Sequence, residues 1–314
     1  AGVKPLDQAT AFAPASVANV AVGFDVLGHS VQAIGDRVTA TRSATPGVRI
    51  VAIKGVVQDL PLETERNTAG MAVLAMAKAL NLPFGIDLVI EKGIPLASGL
   101  GGSAASAVGG VVAANALLDK PLGNLDLLKF AMHGEAVASG AVHVDNIAPS
   151  LYGGLVLTVG IDNPVVTQIP VPPTARCVLV HPHMMLSTRE ARQILSKTVE
   201  LSNLIWQSAN LAGFLTGCFT GNLDLIRASL EDVVIEPQRQ VLIPGFKAVK
   251  QAALAGGALG CSISGAGPTV FAWCEEQHAA AIRDGMVAAF AAHGLDSDAW
   301  ISPLDPRGAR IVTA

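Results

Sequence analysis

Aromatic side chains make up only 4% of the 314 residues, and charged ones only 15%. Lys+Arg 21 against Asp+Glu 25 leaves a net charge of −4, too mild and too balanced for a nucleic-acid-binding face. With 51% hydrophobic residues, the chain is not a disordered one. It also lacks the run of about 20 apolar residues that spans a bilayer. The longest weakly polar stretch, Ala104 to Leu118, contains Ser106, Asn115 and two glycines. No charged-then-apolar segment opens the chain, so export is not implied, although a processed chain looks the same. The expected location is cytoplasmic. Short C-x-x-C pairs are missing too. Cys177, Cys218, Cys261 and Cys274 are scattered through the second half, which points to reduced thiols and away from a structural zinc site. His181-Pro182-His183 is the one suggestive pair of ligands, and it reads as two histidines at a strand end.

Glycine is plentiful, at 32 residues, and alanine-rich segments accompany it. That mixture suits close-packed helices on sheets and loops that let a ligand approach the backbone. Helical patterns are expected over Met71–Leu80, Ser103–Leu118, Leu125–Ala138, Thr188–Lys197, Gln207–Phe219, Gly245–Leu254 and Glu275–His293. Strands are expected at Val38–Thr41, Val48–Ile53, Ile86–Ile90, Gly154–Val159, Cys177–His181, Thr269–Cys274 and Ala299–Ile301. Pro164, Pro170, Pro172 and Pro173 interrupt regular structure. This places a boundary near residue 170, with one domain over 1–170 and a second over 171–314. Both halves read as α+β.

The most informative stretch follows the strand at Ile86–Ile90. It runs Gly93-Ile94-Pro95-Leu96-Ala97-Ser98-Gly99-Leu100-Gly101-Gly102 and enters the helix predicted at Ser103. A strand, a glycine bend and a helix start offer backbone N–H groups and a positive helix end to phosphate oxygens. Ser103 stands at the expected N-cap, and its hydroxyl is also available to phosphate or magnesium. The Walker pattern is not met, because no lysine follows Gly102. The dinucleotide pattern is met by Gly99-Leu100-Gly101-Gly102-Ser103-Ala104, with Asp119 downstream, but no parallel βαβ series surrounds it.

Pro95-Leu96-Ala97-Ser98-Gly99-Leu100-Gly101-Gly102-Ser103-Ala104-Ala105 resembles the phosphate loop P-x-x-x-G-L-G-S-S-A-A of the GHMP small-molecule kinases, departing at Gly102 where serine is usual. Pro14-Ala15-Ser16-Val17-Ala18-Asn19-Val20-Ala21-Val22-Gly23-Phe24-Asp25 is similar to a segment of the homoserine-phosphorylating branch of that family, with Ala21 replacing a glycine. Ser187-Thr188-Arg189-Glu190-Ala191-Arg192 and Asp232-Val233-Val234-Ile235-Glu236-Pro237-Gln238-Arg239 resemble that branch's S-T-x-x-A-R and D-x-[IV]-x-E-P-x-R. Ser264-Gly265-Ala266-Gly267-Pro268-Thr269 is similar to the third GHMP motif, which closes over the first loop and the substrate. The likeness runs in family order from residue 14 to 274.

The resemblance implies a two-domain fold. Its N-terminal nucleotide domain is of the ribosomal protein S5 domain 2-like type, and its C-terminal domain is ferredoxin-like. It implies an alcohol-accepting phosphotransferase that moves the γ-phosphoryl group of ATP, with Mg2+, to the side-chain hydroxyl of L-homoserine. The product would be O-phospho-L-homoserine, in threonine biosynthesis. Asn67, Lys92 and residues 95–105 are then the nucleotide contacts, and Ser103 with Glu135 the metal pair. Asn146 falls where other members carry a catalytic aspartate. An amide has no useful basicity, so Asn146 orients the hydroxyl. Catalytic roles fall to Asn146, Glu135 and Arg192. Asn19, Asp25, Asn146, Thr188, Arg192, Arg239, Ser264 and Gly265 are the implied substrate contacts.

Arginine forks suit an α-carboxylate, and Arg189 reads as a solvated neighbour. Bland readings stand beside these. Asn19 with Asp25 is also an Asx-turn pair, Asp145 a turn former, Glu135 a helix-surface acid, and the arginines partners of Glu190 or Glu236. A mevalonate-type substrate and a non-catalytic nucleotide or amino-acid sensor are the rival functions. Homodimerisation is common in the family, but no segment proves it here.

Overall fold

The computed structural model describes residues 4–160 and 162–313. The first part of the chain runs β1 (Gln8–Ala18), β2 (Leu27–Ser43), β3 (Val48–Gly55), α1 (Thr68–Ala79), β4 (Gly85–Lys92), α2 (Gly102–Asn115), α3 (Asn124–Ser139), α4 (Val144–Tyr152), β5 (Leu155–Val159) and β6 (Val165–Ile169). The second part runs β7 (Ala175–Pro182), α5 (Thr188–Gln193), α6 (Leu201–Thr220), α7 (Leu223–Ser229), α8 (Glu236–Arg239), α9 (Phe246–Ala255), β8 (Gly260–Ile263), β9 (Val270–Glu275), α10 (Ala279–Ala292), β10 (Ser297–Pro303) and β11 (Arg310–Thr313).

The first sheet has the order β11-β1-β2-β4-β3, with β5 added on β2 and β6 on β5. Only β3 and β4 run parallel. α2 is buried along most of its length by alanines, glycines and valines. Small side chains let it lie close against β1 and β2. The second sheet, β10-β7-β9-β8, is wholly antiparallel. α9 and α10 lie in the β7–β8 and β9–β10 connections, which is the ferredoxin-like arrangement expected. Sheet membership changes between β6 and β7. It changes back at the end, where β11 pairs with β1.

A buried hydrogen bond between side chains joins the two sheets. Trp273 Nε1 on β9 donates to His29 Nε2 on β2 at 3.2 Å, while His29 Nδ1 donates to the Ser30 carbonyl at 2.9 Å. Both acceptor and donor are used by the neutral ring. Burial pushes the pKa of His29 down to about 4.

Several elements differ from expectation. β1 and the first half of β2 were not predicted, because residues such as Val17, Ala18 and Leu27 are buried on consecutive positions and show no period of two. Residues 143–149 lie outside every helix and strand expected above, yet most of them form helix α4. Pro149 lies inside it and hid the pattern. α5 stops at Gln193, and α6 starts at Leu201, six residues before the predicted start. Among the described residues, no helix is long and apolar enough to cross a membrane. All four cysteines are buried and free.

Candidate active site

The glycine bend leaves β4 at Lys92 and enters α2 at Gly102. Ser103 is not the N-cap. Gly101 takes that place at φ 71°, with no side-chain cap, so the helix begins before the serine. A Cβ at Gly101 would lie 2.5 Å from Ser16 Oγ and 2.7 Å from Asn146 Oδ1. The first N–H groups of a helix have no intrahelical acceptor. Without a capping side chain, those of α2 face a cavity of about 330 Å³ whose wall includes Gly101, Gly102 and Ser103.

The second glycine bend braces the first. Ser264 Oγ donates to the Gly99 carbonyl at 2.8 Å. The Ser98 carbonyl accepts from the Thr269 amide at 3.1 Å and from its hydroxyl at 2.6 Å. The Gly267–Pro268 peptide within this bend is cis.

Of the expected nucleotide contacts, Asn67, Lys92, Pro95, Leu96, Ala97, Ser98, Gly99, Gly101, Gly102 and Ser103 line the cavity. Leu100, Ala104 and Ala105 are buried behind it. Asn67 spends its side chain on the chain itself. Oδ1 caps α1 by accepting from Ala69 and Gly70 N–H, and Nδ2 donates to the Pro61 carbonyl. Lys92 Nζ pairs with Asp36 and donates to the Gly102 carbonyl at 2.8 Å and to Ser106 Oγ at 2.9 Å.

Asn19, Asp25, Asn146, Thr188, Arg192, Arg239 and Gly265 share the same cavity, while Ser264 braces the wall from outside it. Asn19 Oδ1 accepts from the Asp25 amide at 3.0 Å, and its Nδ2 donates to the Gly265 carbonyl at 3.3 Å. Asn19, Val20 and Ala21 all have positive φ, 72°, 46° and 59°. This is a strained turn for non-glycine residues, above all for a β-branched one.

Arg192 binds Asp25 bidentately, both contacts at 2.9 Å, and that partner raises its pKa. Arg239 is almost wholly buried. Its Nε donates to the Ala191 carbonyl at 2.8 Å. Burial, then the nearby Arg192 charge, brings its pKa down to about 10. The Phe24 ring lies beside both guanidinium groups, 5.0 Å from Arg192 and 5.3 Å from Arg239. Asn146 Oδ1 accepts from Ser16 Oγ at 2.8 Å, so the amide NH2 is the end left for a ligand.

Glu135 is fully buried and absent from the cavity wall, so it is no helix-surface acid. His143, which does line the cavity, donates its backbone N–H to Glu135 Oε1 at 2.9 Å and sets its ring Nδ1 on the same oxygen. That contact raises the histidine's pKa. Glu135 Oε2 is buried with no partner. An orphaned carboxylate oxygen and the Ser103 hydroxyl are donors of the kind magnesium takes, since it uses few protein ligands beside substrate phosphates. Among the described residues, no group of three or more His, Cys, Asp or Glu could hold a metal. His183 instead meets Asp298 at 3.1 Å.

Three functional features escaped sequence reasoning. Asp145, read as a turn former, is a buried wall residue whose carboxyl is pushed up to about 7, by burial first and then by Asp25. Its place beside Asn146 was the available signal. His143 was passed over, and Asp36 stands in no recognisable motif.

Known proteins match the chain over most of its length. The family model for the GHMP kinases N terminal domain matches residues 67–154, and that for the GHMP kinases C terminal matches 211–292. The chain is 54% identical to a homoserine kinase of Xylella fastidiosa, over 97% of this chain and 94% of that one. Identity is also 54% to a homoserine kinase of Xanthomonas campestris, over 98% and 95%. The crystal structure of homoserine kinase from Cytophaga hutchinsonii superposes with a TM-score of 0.95 at 43% identity, covering 99% of each chain. That of L. major mevalonate kinase, at 15% identity and a TM-score of 0.71 over 96% of this chain and 99% of that one, shares the fold. The chain belongs to the homoserine kinase family of the GHMP kinases.

Proposed function

We propose that this chain phosphorylates the side-chain hydroxyl of L-homoserine with ATP, giving O-phospho-L-homoserine and ADP, a step of threonine biosynthesis. One observation carries the reading. A single cavity joins an uncapped helix start, suited to phosphate, with a clamp of fixed opposite charges suited to an amino acid. The Arg192–Asp25 pair is half-exposed. A zwitterion can exchange that one ion pair for two, its carboxylate on Arg192 and Arg239 and its ammonium on Asp25 beside Asn19.

Asn146, with Oδ1 held by Ser16, presents only N–H donors and so orients the acceptor hydroxyl without taking its proton. Asp25 in this arrangement is taken up by the substrate ammonium and is not the base for the hydroxyl. The proton passes to a phosphate oxygen or solvent, as phosphoryl transfer through a loose transition state permits. Ser103 on the cavity wall and Glu135 behind His143 are the residues that would hold Mg2+, which would there supply charge neutralisation for the transferred phosphate. Alignment is then the main contribution of the chain.

Further parts of the reading rest on single features. Free, buried thiols support a cytoplasmic location. The proline-rich crossing between β6 and β7 supports a boundary near residue 170. α6 supports a homodimer. Its 20 residues include no charged one, while Leu201, Leu204, Ile205, Trp206 and Phe219 are each more than half exposed. Self-association there meets no like-charge repulsion.

The test is ADP release with homoserine, threonine, serine, mevalonate and galactose. Release with homoserine above all others is expected. Release with mevalonate alone rejects the amino-acid site, and none with any acceptor favours a sensor.

A further inference from the structure

Asp36 lies outside every motif in the sequence, yet its side chain binds the start of the phosphate bend and the residues that flank it. It is fully buried on β2. Oδ1 accepts from the backbone N–H of Gly93 at 2.9 Å and of Ile94 at 3.3 Å, where the bend begins. Oδ2 pairs with Lys92 Nζ and accepts from Ser106 Oγ at 2.9 Å, on the second turn of α2. Lys92 passes the tie on to the Gly102 carbonyl, where the bend ends. One carboxylate therefore fastens both ends of the same loop to a strand of the sheet.

We infer that Asp36 is the positioning residue of the phosphate site. It touches neither substrate. It sets the distance between the two ends of the bend, and so the direction in which the uncapped N–H groups of α2 point. The buried charge on Lys92 serves this tie as well. A buried pair is a weak source of stability compared with apolar packing, but it fixes geometry when every lone pair and proton has a partner. Here each oxygen of Asp36 has two partners, and the ammonium has three.

The inference deepens the kinase reading, and its experiment separates the two. ATP binding is measured directly by calorimetry, alongside KM for ATP and for homoserine. The variants are Asp36→Asn, Asp36→Asn with Lys92→Gln, and Ser106→Ala. Wild-type protein that binds no ATP refutes the kinase reading, whatever the variants do. With ATP bound, both Asp36 variants are expected to weaken it about tenfold, while KM for homoserine at saturating ATP stays within about twofold. Ser106→Ala, which removes one hydrogen bond to Asp36 and one from Lys92 and changes no charge, shifts ATP affinity the same way by about threefold.

A single variant that binds ATP more tightly, with the double variant restored to wild type, would reduce Asp36 to a charge canceller and overturn the inference. Unchanged ATP affinity in all three would overturn it too. So would equal losses for both substrates alongside a lowered melting temperature, the mark of a merely structural residue. If Asp36→Asn does not fold, Ser106→Ala decides alone, and an unchanged ATP affinity there refutes the proposal.

Discussion

Arg192 sets its two terminal nitrogens on the two carboxylate oxygens of Asp25, each at 2.9 Å. The pair bridges 167 positions of sequence and closes the clamp before any ligand arrives. An amino acid must open it and re-form its halves. Replacing Asp25 with Asn is expected to raise KM for homoserine about tenfold or more, because charge-assisted hydrogen bonds contribute roughly 1.5–3 kcal/mol. KM for ATP should not follow. Turnover at saturating homoserine should persist, and its abolition would mean that Asp25 is the base after all.

Asn146 is held by Ser16, and its role is alignment. Asn146→Ala is expected to lower kcat about 10- to 100-fold with an unaltered pH profile. A profile that lost a limb in the variant would show that proton transfer passes through this position.

Asp145 carries a carboxyl raised from 3.8 to about 7. The folded state therefore favours the protonated form. That stability is present in full below about pH 4 and is lost as pH rises towards 7, by something on the order of 4 kcal/mol. Urea unfolding of the ligand-free protein should show the decline, and Asp145→Asn should flatten it while reducing activity. An unchanged slope in the variant would assign the decline to another group.

His29 acts in the opposite direction. Its pKa is lowered from 6.5 to about 4, so its neutral ring stabilises the fold above pH 6.5. As pH falls through 4, about 3 kcal/mol is lost. His29→Phe is expected to remove this acid-side slope. It should also destabilise the protein by about 1–3 kcal/mol at pH 7, because Trp273 Nε1 is left buried without an acceptor.

The proposed dimer has a direct test in Ile205→Asp on the exposed face of α6. Light scattering should give a dimer for the wild type and a monomer for the variant, with the melting profile otherwise intact. A monomeric wild type would reject the surface.

The glycine bend was legible because strand, glycines and small-residue helix are contiguous, and backbone chemistry follows from that order alone. Arg192, Arg239 and Asn146 were legible through short motifs, and the fold brings their side chains into one cavity. Asp36 was not, since its importance lies in partners 56 to 70 positions away. Nor was the burial of Glu135 behind His143. A carboxylate on a helix reads the same whether it faces water or a neighbouring loop, until tertiary packing decides. α4 was lost to a proline that local rules treat as a stop, although its environment tolerates it.

β11 pairs Ile311 with Ala11 and Arg310 with Phe12. The edge of the first sheet is thus finished by a strand about 300 positions along the chain from its partner. Closure of so long a loop makes the step intrinsically slow. Until β11 docks, β1 is left as an open strand edge, the period when chaperone protection matters most.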